Sequence, residues 1–163
     1  MRVVVSRPPT SPVIKFLLMA TGVYAVAFIG AQATFTAPDY YTSLLRPKWA
    51  PPAWLFGPVW TILYGMMAVA AYLVWTVPRE DRRGALVLFW VQLALNGLWS
   101  WLFFAWRQTF YAGIEIAVLW LAIVATGFLF FRVRPLTGWL LVPYLLWVTF
   151  ATALNWSIYA LNR

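Results

Sequence analysis

The chain has 163 residues, of which 64% are hydrophobic and 10% are charged. Because soluble domains carry roughly 25% charged residues, this composition excludes a soluble domain and predicts one integral membrane domain. It contains no cysteine and no histidine, which excludes disulfides and thiolate catalysis and removes the commonest metal and haem ligands, so we expect no metal site and no cofactor. The net charge of +8 is interpreted as a topology signal and as contact with anionic lipid headgroups, and no nucleic-acid partner is expected.

Five apolar segments are each long enough to cross a hydrocarbon core of ~30 Å as a helix. After a short basic, proline-rich tail (residues 1–12), the helices are predicted at about residues 13–33, 54–75, 85–105, 110–131 and 136–160. The first segment is too long for a signal-peptide core and is interpreted as a membrane span. The longest connection is residues 34–53. The sequence therefore predicts an all-α fold, an integral membrane bundle of five transmembrane helices in a single domain, residues 1–163.

The basic residues divide unequally between the two sides of the membrane. An odd number of spans places the termini on opposite sides. The side of the N-terminus carries Arg2, Arg7, Lys15, Arg79, Arg82, Arg83, Arg132 and Arg134, and the other side carries Arg46, Lys48, Arg107 and Arg163. Because cytoplasmic loops carry the excess of Lys and Arg, we expect the N-terminus in the cytoplasm and the long loop outside.

Polar and aromatic residues from four predicted spans converge in the half of the membrane beneath the long loop. With alternating helix direction and a rise of 1.5 Å per residue, they fall within roughly 15 Å of the outer boundary, with Trp147 somewhat deeper. We interpret them as a ligand pocket; the alternative is an interfacial aromatic belt with ordinary helix packing. The predicted ligand-binding residues are Trp60, Tyr64, Asn96, Trp99, Tyr111, Trp147, Ala151 and Asn155, beneath a loop or lid with Tyr41, Arg46, Lys48 and Trp49.

Some polar and small residues also have structural interpretations that remain open. Gln92, Asn96 and Ser100 form one stripe, a pattern typical of interhelical hydrogen bonds of ~1 kcal/mol. Glu115 is the only acid inside a span and is a functional candidate or the partner of Arg107 in an ion pair. Small residues spaced by four favour close helix contact, in the bundle or in a dimer: Ala27 and Ala31, and Gly57, Thr61 and Gly65.

Three blocks of the sequence carry a family resemblance. They are RPKWAPPAWLFGPVWTILYG (46–65), QLALNGLWSWLFF (92–104) and PYLLWVTFATALNW (143–156). In order and spacing they resemble the TspO/translocator protein family, the tryptophan-rich sensory proteins related to the mitochondrial peripheral benzodiazepine receptor. The resemblance implies a five-helix bundle, usually a homodimer, that binds porphyrins, sterols and benzodiazepine-type drugs beneath the first loop. It implies that the pocket aromatics are Trp60, Trp99 and Trp147, and that Asn96, Tyr111, Ala151 and Asn155 occupy motif positions.

These observations favour a membrane receptor or carrier for porphyrins, in a bacterial membrane, with a sensory or tetrapyrrole-handling role. The expected ligand is protoporphyrin, or haem held without strong ligation, stacked on the tryptophans. Arg46 and Lys48 are expected to pair with its propionates. Sterol binding is left open, because Trp156 stands where the animal relatives have a tyrosine. The alternative function is a light-dependent porphyrin-degrading enzyme, for which the sequence offers no acid–base pair, metal site or nucleophile.

Overall fold

The computed structural model describes residues 11–163, so most of the predicted basic tail, with Arg2 and Arg7, lies outside the described residues. The helices are α1 (Pro12–Phe35), α2 (Tyr40–Ser43), α3 (Phe56–Thr76), α4 (Arg82–Ser100), α5 (Thr109–Val133), α6 (Pro135–Trp139) and α7 (Val142–Leu161). Helices α1, α3, α4, α5 and α7 form the five segments that are long and apolar enough to span a membrane. The predicted all-α bundle of five membrane helices is confirmed.

Prolines mark where several helices begin. Pro12 and Pro135 are the first residues of α1 and α6, and Pro143 is the second residue of α7. The nitrogen of a residue in the first helical turn has no intrahelical partner, so a proline there loses no hydrogen bond. Before α3, Pro51 and Pro52 end the long loop, and a 3₁₀ turn (Ala53–Leu55) leads into the helix. The start of the second span thus follows from the local sequence.

Helix α4 ends in a wider turn than its sequence suggests. Residues Trp101–Ala105 form a π-helical turn, closed by the amide of Trp106 donating to the carbonyl of Trp101 at 2.8 Å. Arg107 follows with a φ of 55°, a left-handed conformation that costs a non-glycine residue roughly 1 kcal/mol. This reversal lies between the spans predicted at 85–105 and 110–131, and it lays α5 directly along α4.

The five long helices enclose an interior rich in aromatic rings. Helix α1 packs on α3 and α4, whereas α5 lies between α4 and α7. Between α3 and α7 the space is filled by ring pairs, with Trp60 and Tyr144 at 6.0 Å and Phe56 and Trp147 at 5.9 Å between centroids. We call the end formed by residues 36–55 and the α4–α5 turn the loop end. The opposite end is called the arginine end, after Arg79, Arg82, Arg83, Arg132 and Arg134.

A candidate ligand-binding cavity at the loop end

A cavity of about 610 Å³ lies at the loop end, between α1 and α3 and beside the last turns of α4. Small-molecule sites typically measure roughly 300–1,000 Å³ and are mostly apolar with a few polar groups. The cavity meets both criteria. Its aromatic lining consists of Tyr24, Phe28, Phe35, Tyr41, Phe56, Trp60, Tyr64, Trp99 and Phe104.

Trp60 and Tyr64 form the α3 wall of the cavity. They lie one helical turn apart, with ring centroids 5.4 Å apart and planes inclined by 31°. The hydroxyl of Tyr64 donates to the side-chain oxygen of Asn96 on α4. Asn96 is buried and does not line the cavity. Asn96 therefore holds the Tyr64 ring in place. This agrees with the interpretation that the polar residues spaced by four on α4 form interhelical hydrogen bonds.

Trp99 forms the α4 wall and is held from behind by Asn155. The indole nitrogen of Trp99 donates to Oδ1 of Asn155 at 3.3 Å, and Nδ2 of Asn155 donates to the carbonyl of Thr109 at 2.9 Å. Asn155 therefore joins α4, α5 and α7 through one buried amide. Ala151 and Asn155 border a gap of only about 10 Å³ behind Trp99. They support the cavity wall rather than forming its surface.

Trp147 and Tyr111 do not line the cavity. Trp147 packs on Phe56 and on Phe150, at 5.9 and 5.5 Å between centroids, so it touches the cavity only through Phe56. Its indole nitrogen is buried and has no hydrogen-bond partner within residues 11–163. Tyr111 is 59% exposed and packs on Phe110, because its position on α5 faces away from the interior. The structure thus does not bring Tyr111 to the other predicted residues.

Within the predicted lid, Tyr41 is the residue that reaches the cavity. It is buried and its hydroxyl donates to the carbonyl of Pro51 at 2.8 Å. The Arg46 guanidinium lies over its ring, 4.9 Å from the centroid. Burial raises the pKa of Tyr41 above its ordinary value, and Arg46 partly offsets this effect. The phenol therefore stays protonated at neutral pH and remains a donor to the loop.

The rest of the lid lies at the surface and is tied to the end of α7. Arg46 and Lys48 are exposed, and Trp49 is half exposed against Phe150, at 5.6 Å. Asn162 accepts from the amide of Leu45 at 3.0 Å and donates to its carbonyl at 2.9 Å. The sequence did not predict these hydrogen bonds between Asn162 and Leu45, because no local pattern connects residues that are 117 positions apart.

Helix α1 supplies a cavity wall that the sequence-based prediction also missed. Tyr24, Phe28 and Phe35 line it, and their spacing on α1 was the available signal. Phe28 and Phe35 are 64% and 71% exposed, so this wall also borders the surrounding lipid. Four of the small residues assigned to close helix contact also line the cavity, and their short side chains leave its space open: Ala27 and Ala31 on α1, and Gly57 and Thr61 on α3.

Glu115 does not form the ion pair considered from the sequence. Both of its carboxylate oxygens are buried without a hydrogen-bond partner among the described residues. Arg107 instead lies over the Tyr40 ring, 5.3 Å from the centroid. Within residues 11–163, the salt bridge that forms joins Arg79 and Asp81. The ion-pair interpretation of Glu115 therefore has no support in the geometry.

The fold and the cavity define a class of protein: a five-helix membrane protein with an aromatic-lined cavity beneath its longest loop. The sequence pattern of the TspO/MBR family matches residues 17–161, and the chain belongs to that family. It is similar to the tryptophan-rich protein TspO of Chlorobaculum tepidum, with 46% identity over 143 residues, 85% of this chain and 89% of that protein. Protein CrtK of Rhodobacter capsulatus is 41% identical over 145 residues, 86% of this chain and 91% of that protein. The human translocator protein is 35% identical over 160 residues, 96% of this chain and 93% of that protein.

Proposed function

We propose that the protein binds a porphyrin, or a similar flat hydrophobic molecule, in the loop-end cavity and acts as its membrane receptor or carrier. The observation that carries this proposal is a cavity of about 610 Å³ walled by Trp60, Tyr64 and Trp99. A flat macrocycle gains affinity by stacking on such rings and by burying apolar area. The hydrogen bonds from Tyr64 to Asn96 and from Trp99 to Asn155 fix two of these rings before a ligand arrives.

The geometry favours entry of this ligand from the bilayer. The α1 wall borders lipid through Phe28 and Phe35, whereas the lid is tied down by Tyr41 and Asn162. A hydrophobic ligand concentrated in the membrane reaches the cavity by passing beside α1. Arg46, exposed and stacked on Tyr41, is placed to pair with a carboxylate at the rim, an interaction worth at most ~1 kcal/mol at an exposed site.

Filling the cavity from within should weaken porphyrin binding. A Cβ added at Gly57 meets no atom within 4 Å, and Gly57 lines the cavity, so we expect a leucine there to take up ligand space. We expect Gly57→Leu to weaken protoporphyrin binding about tenfold, or ~1.4 kcal/mol. The measurement is saturable quenching of tryptophan fluorescence in lipid nanodiscs.

The matched control is Gly84→Leu, because Gly84 is equally open but lies at the arginine end. It should bind as the unmodified protein does. Trp60→Ala tests the same cavity by removing a ring from its lining, whereas Gly57→Leu adds a side chain to it. Equal affinity of Gly57→Leu, Trp60→Ala and the control would refute the cavity as the site. Loss of porphyrin absorbance under illumination, faster than in nanodiscs without the protein, would favour the degrading enzyme over the carrier.

We also propose that the arginine end faces the cytoplasm, as the distribution of basic residues predicts. A reporter that is active only in the cytoplasm should be silent when fused after Arg163 and active when inserted in the turn between α3 and α4. The opposite pattern would reverse the orientation. Reporter protein levels, compared by immunoblot, control for differences in expression.

The homodimer stays a prediction that rests on the small-residue spacing and the family resemblance, and sterol binding stays one that rests on the resemblance. Trp156, which stands where the animal relatives have a tyrosine, packs on Phe110 and Tyr159, at 6.0 and 5.9 Å between centroids. Both are edge-to-face contacts between rings, with planes inclined by 84°. They give no separate support to a sterol site there.

A further inference from the structure

A second apolar recess lies on the outer face of the bundle, at the arginine end. It is a groove of about 260 Å³ between α5, α6 and the start of α7, and it shares no lining residue with the loop-end cavity. Gly127 leaves its floor without a side chain, since a Cβ added there meets no atom within 4 Å. Its walls include Phe128, Phe131, Trp139 and Leu145.

The groove is built into the backbone rather than left by mobile side chains. The hydroxyl of Thr137 shares its one proton between the carbonyls of Phe130 and Arg134, which lie at 2.9 and 2.7 Å. These bonds fix the turn from α5 into α6. Gly138 then lies so close to α5 that an added Cβ would be 2.7 Å from Cβ of Phe131. The backbones of α5 and α6 beside the recess are therefore closely packed.

The surroundings of the groove are apolar and face outward. Phe128 is 61% exposed and Trp139 is 64% exposed. In a protein with five membrane-spanning helices, such a surface meets lipid rather than water. The occupant that suits a narrow apolar groove in this position is a hydrocarbon chain.

Two exposed arginines, Arg132 and Arg134, closely follow the α5 residues that line this groove. The Arg132 guanidinium lies over the ring of Phe128, 5.9 Å from the centroid, and both Arg132 and Arg134 are exposed. Neither forms a salt bridge in the part of the chain that the structure describes. The carbonyl of Arg132 accepts from Arg79 at 3.3 Å, so the basic surface continues to the α3–α4 turn. Guanidinium groups bind phosphate with paired hydrogen bonds.

We propose that the groove binds one acyl chain of an anionic diacyl phospholipid whose phosphate pairs with Arg132 and Arg134. The groove accounts for the chain, and the two exposed arginines account for the headgroup. A basic surface between helices at a membrane boundary is the arrangement that selects anionic over zwitterionic lipids. The lipid is held on the side of the bundle that the loop-end cavity does not use.

Native mass spectrometry of the protein released from detergent tests this lipid site. With dioleoyl phosphatidylglycerol, we expect one lipid to be retained at concentrations about tenfold lower than with dioleoyl phosphatidylcholine. Gly127→Leu, which adds a side chain in the groove that holds the acyl chain, should lower the retention of both lipids. The double variant Arg132→Gln, Arg134→Gln should abolish the preference for phosphatidylglycerol. Arg132→Lys should keep part of it, since the charge remains and the paired hydrogen bonds are lost.

Three controls separate the groove from general surface charge. Arg107→Gln removes a charge at the loop end, Gly57→Leu fills the other cavity, and both should retain phosphatidylglycerol as before. Glycerol phosphate, which lacks acyl chains, should not displace the lipid at equal concentration. Equal retention of the two lipids overturns the proposal. So does full retention by Gly127→Leu, which would mean that charge alone attracts the lipid. Melting temperatures confirm that each variant is folded.

Discussion

Replacing Gly138 with alanine should lower the free energy of unfolding by about 2–3 kcal/mol, the upper part of the usual range for overpacking. The added Cβ would lie 2.7 Å from Cβ of Phe131, 3.0 Å from its Cα and 3.1 Å from the carbonyl oxygen of Gly127. The last two are backbone atoms of α5, which cannot move aside without shifting the helix. The expected drop in melting temperature is about 5 °C or more, measured by thermal unfolding in one detergent.

Gly127→Ala is the matched control for this effect. Gly127 lies on α5, and an added Cβ there meets no atom within 4 Å. Its melting temperature should be unchanged or slightly higher, because alanine favours a helix over glycine by up to ~1 kcal/mol. If the Gly138 and Gly127 variants melt together, the close approach of α6 to α5 is wrong.

The number of spans was predictable, because lipid leaves little choice of structure. A backbone in hydrocarbon must satisfy its own hydrogen bonds, so each long apolar run becomes a helix. The fourth span, predicted at 110–131, is Thr109–Val133 in the structure. The π-helical turn of Trp101–Ala105 was not predicted. This turn depends on the carbonyl to which the Trp106 amide donates its hydrogen bond, and no residue type in the sequence specifies that carbonyl.

For the candidate site, the sequence predicted only how deep its residues lie in the membrane. Counting residues from the membrane boundary places Trp60, Trp99 and Tyr111 at similar heights. It does not fix the rotation of each helix about its axis, and that rotation turns Tyr111 outward while Trp60 and Trp99 line the cavity. Tertiary packing also decides the use of the small residues, since Ala27 could serve a helix contact or an open wall.

Replacing Tyr144 with phenylalanine should cost about 2 kcal/mol, because it leaves a buried amide without a partner. The hydroxyl of Tyr144 donates to Oε1 of Gln92 at 2.8 Å, and the two side chains are 1% and 0% exposed. Nε2 of Gln92 already has no hydrogen-bond partner among the described residues. The variant therefore removes the one hydrogen bond that the Gln92 side chain makes within that range. Thermal unfolding in detergent measures the loss.

The double variant Tyr144→Phe, Gln92→Met decides whether the unpaired amide causes that loss. Replacing both partners with apolar groups of similar shape is close to neutral, so most of the stability should return. Thr149→Val is the comparison at an exposed site, where it removes the bond from Trp120 at 2.8 Å. It should cost only ~0.6 kcal/mol, a typical value for interhelical bonds in membranes. If the double variant is no more stable than Tyr144→Phe, the loss comes from packing at Tyr144, and the hydrogen-bonding role of Gln92 is wrong.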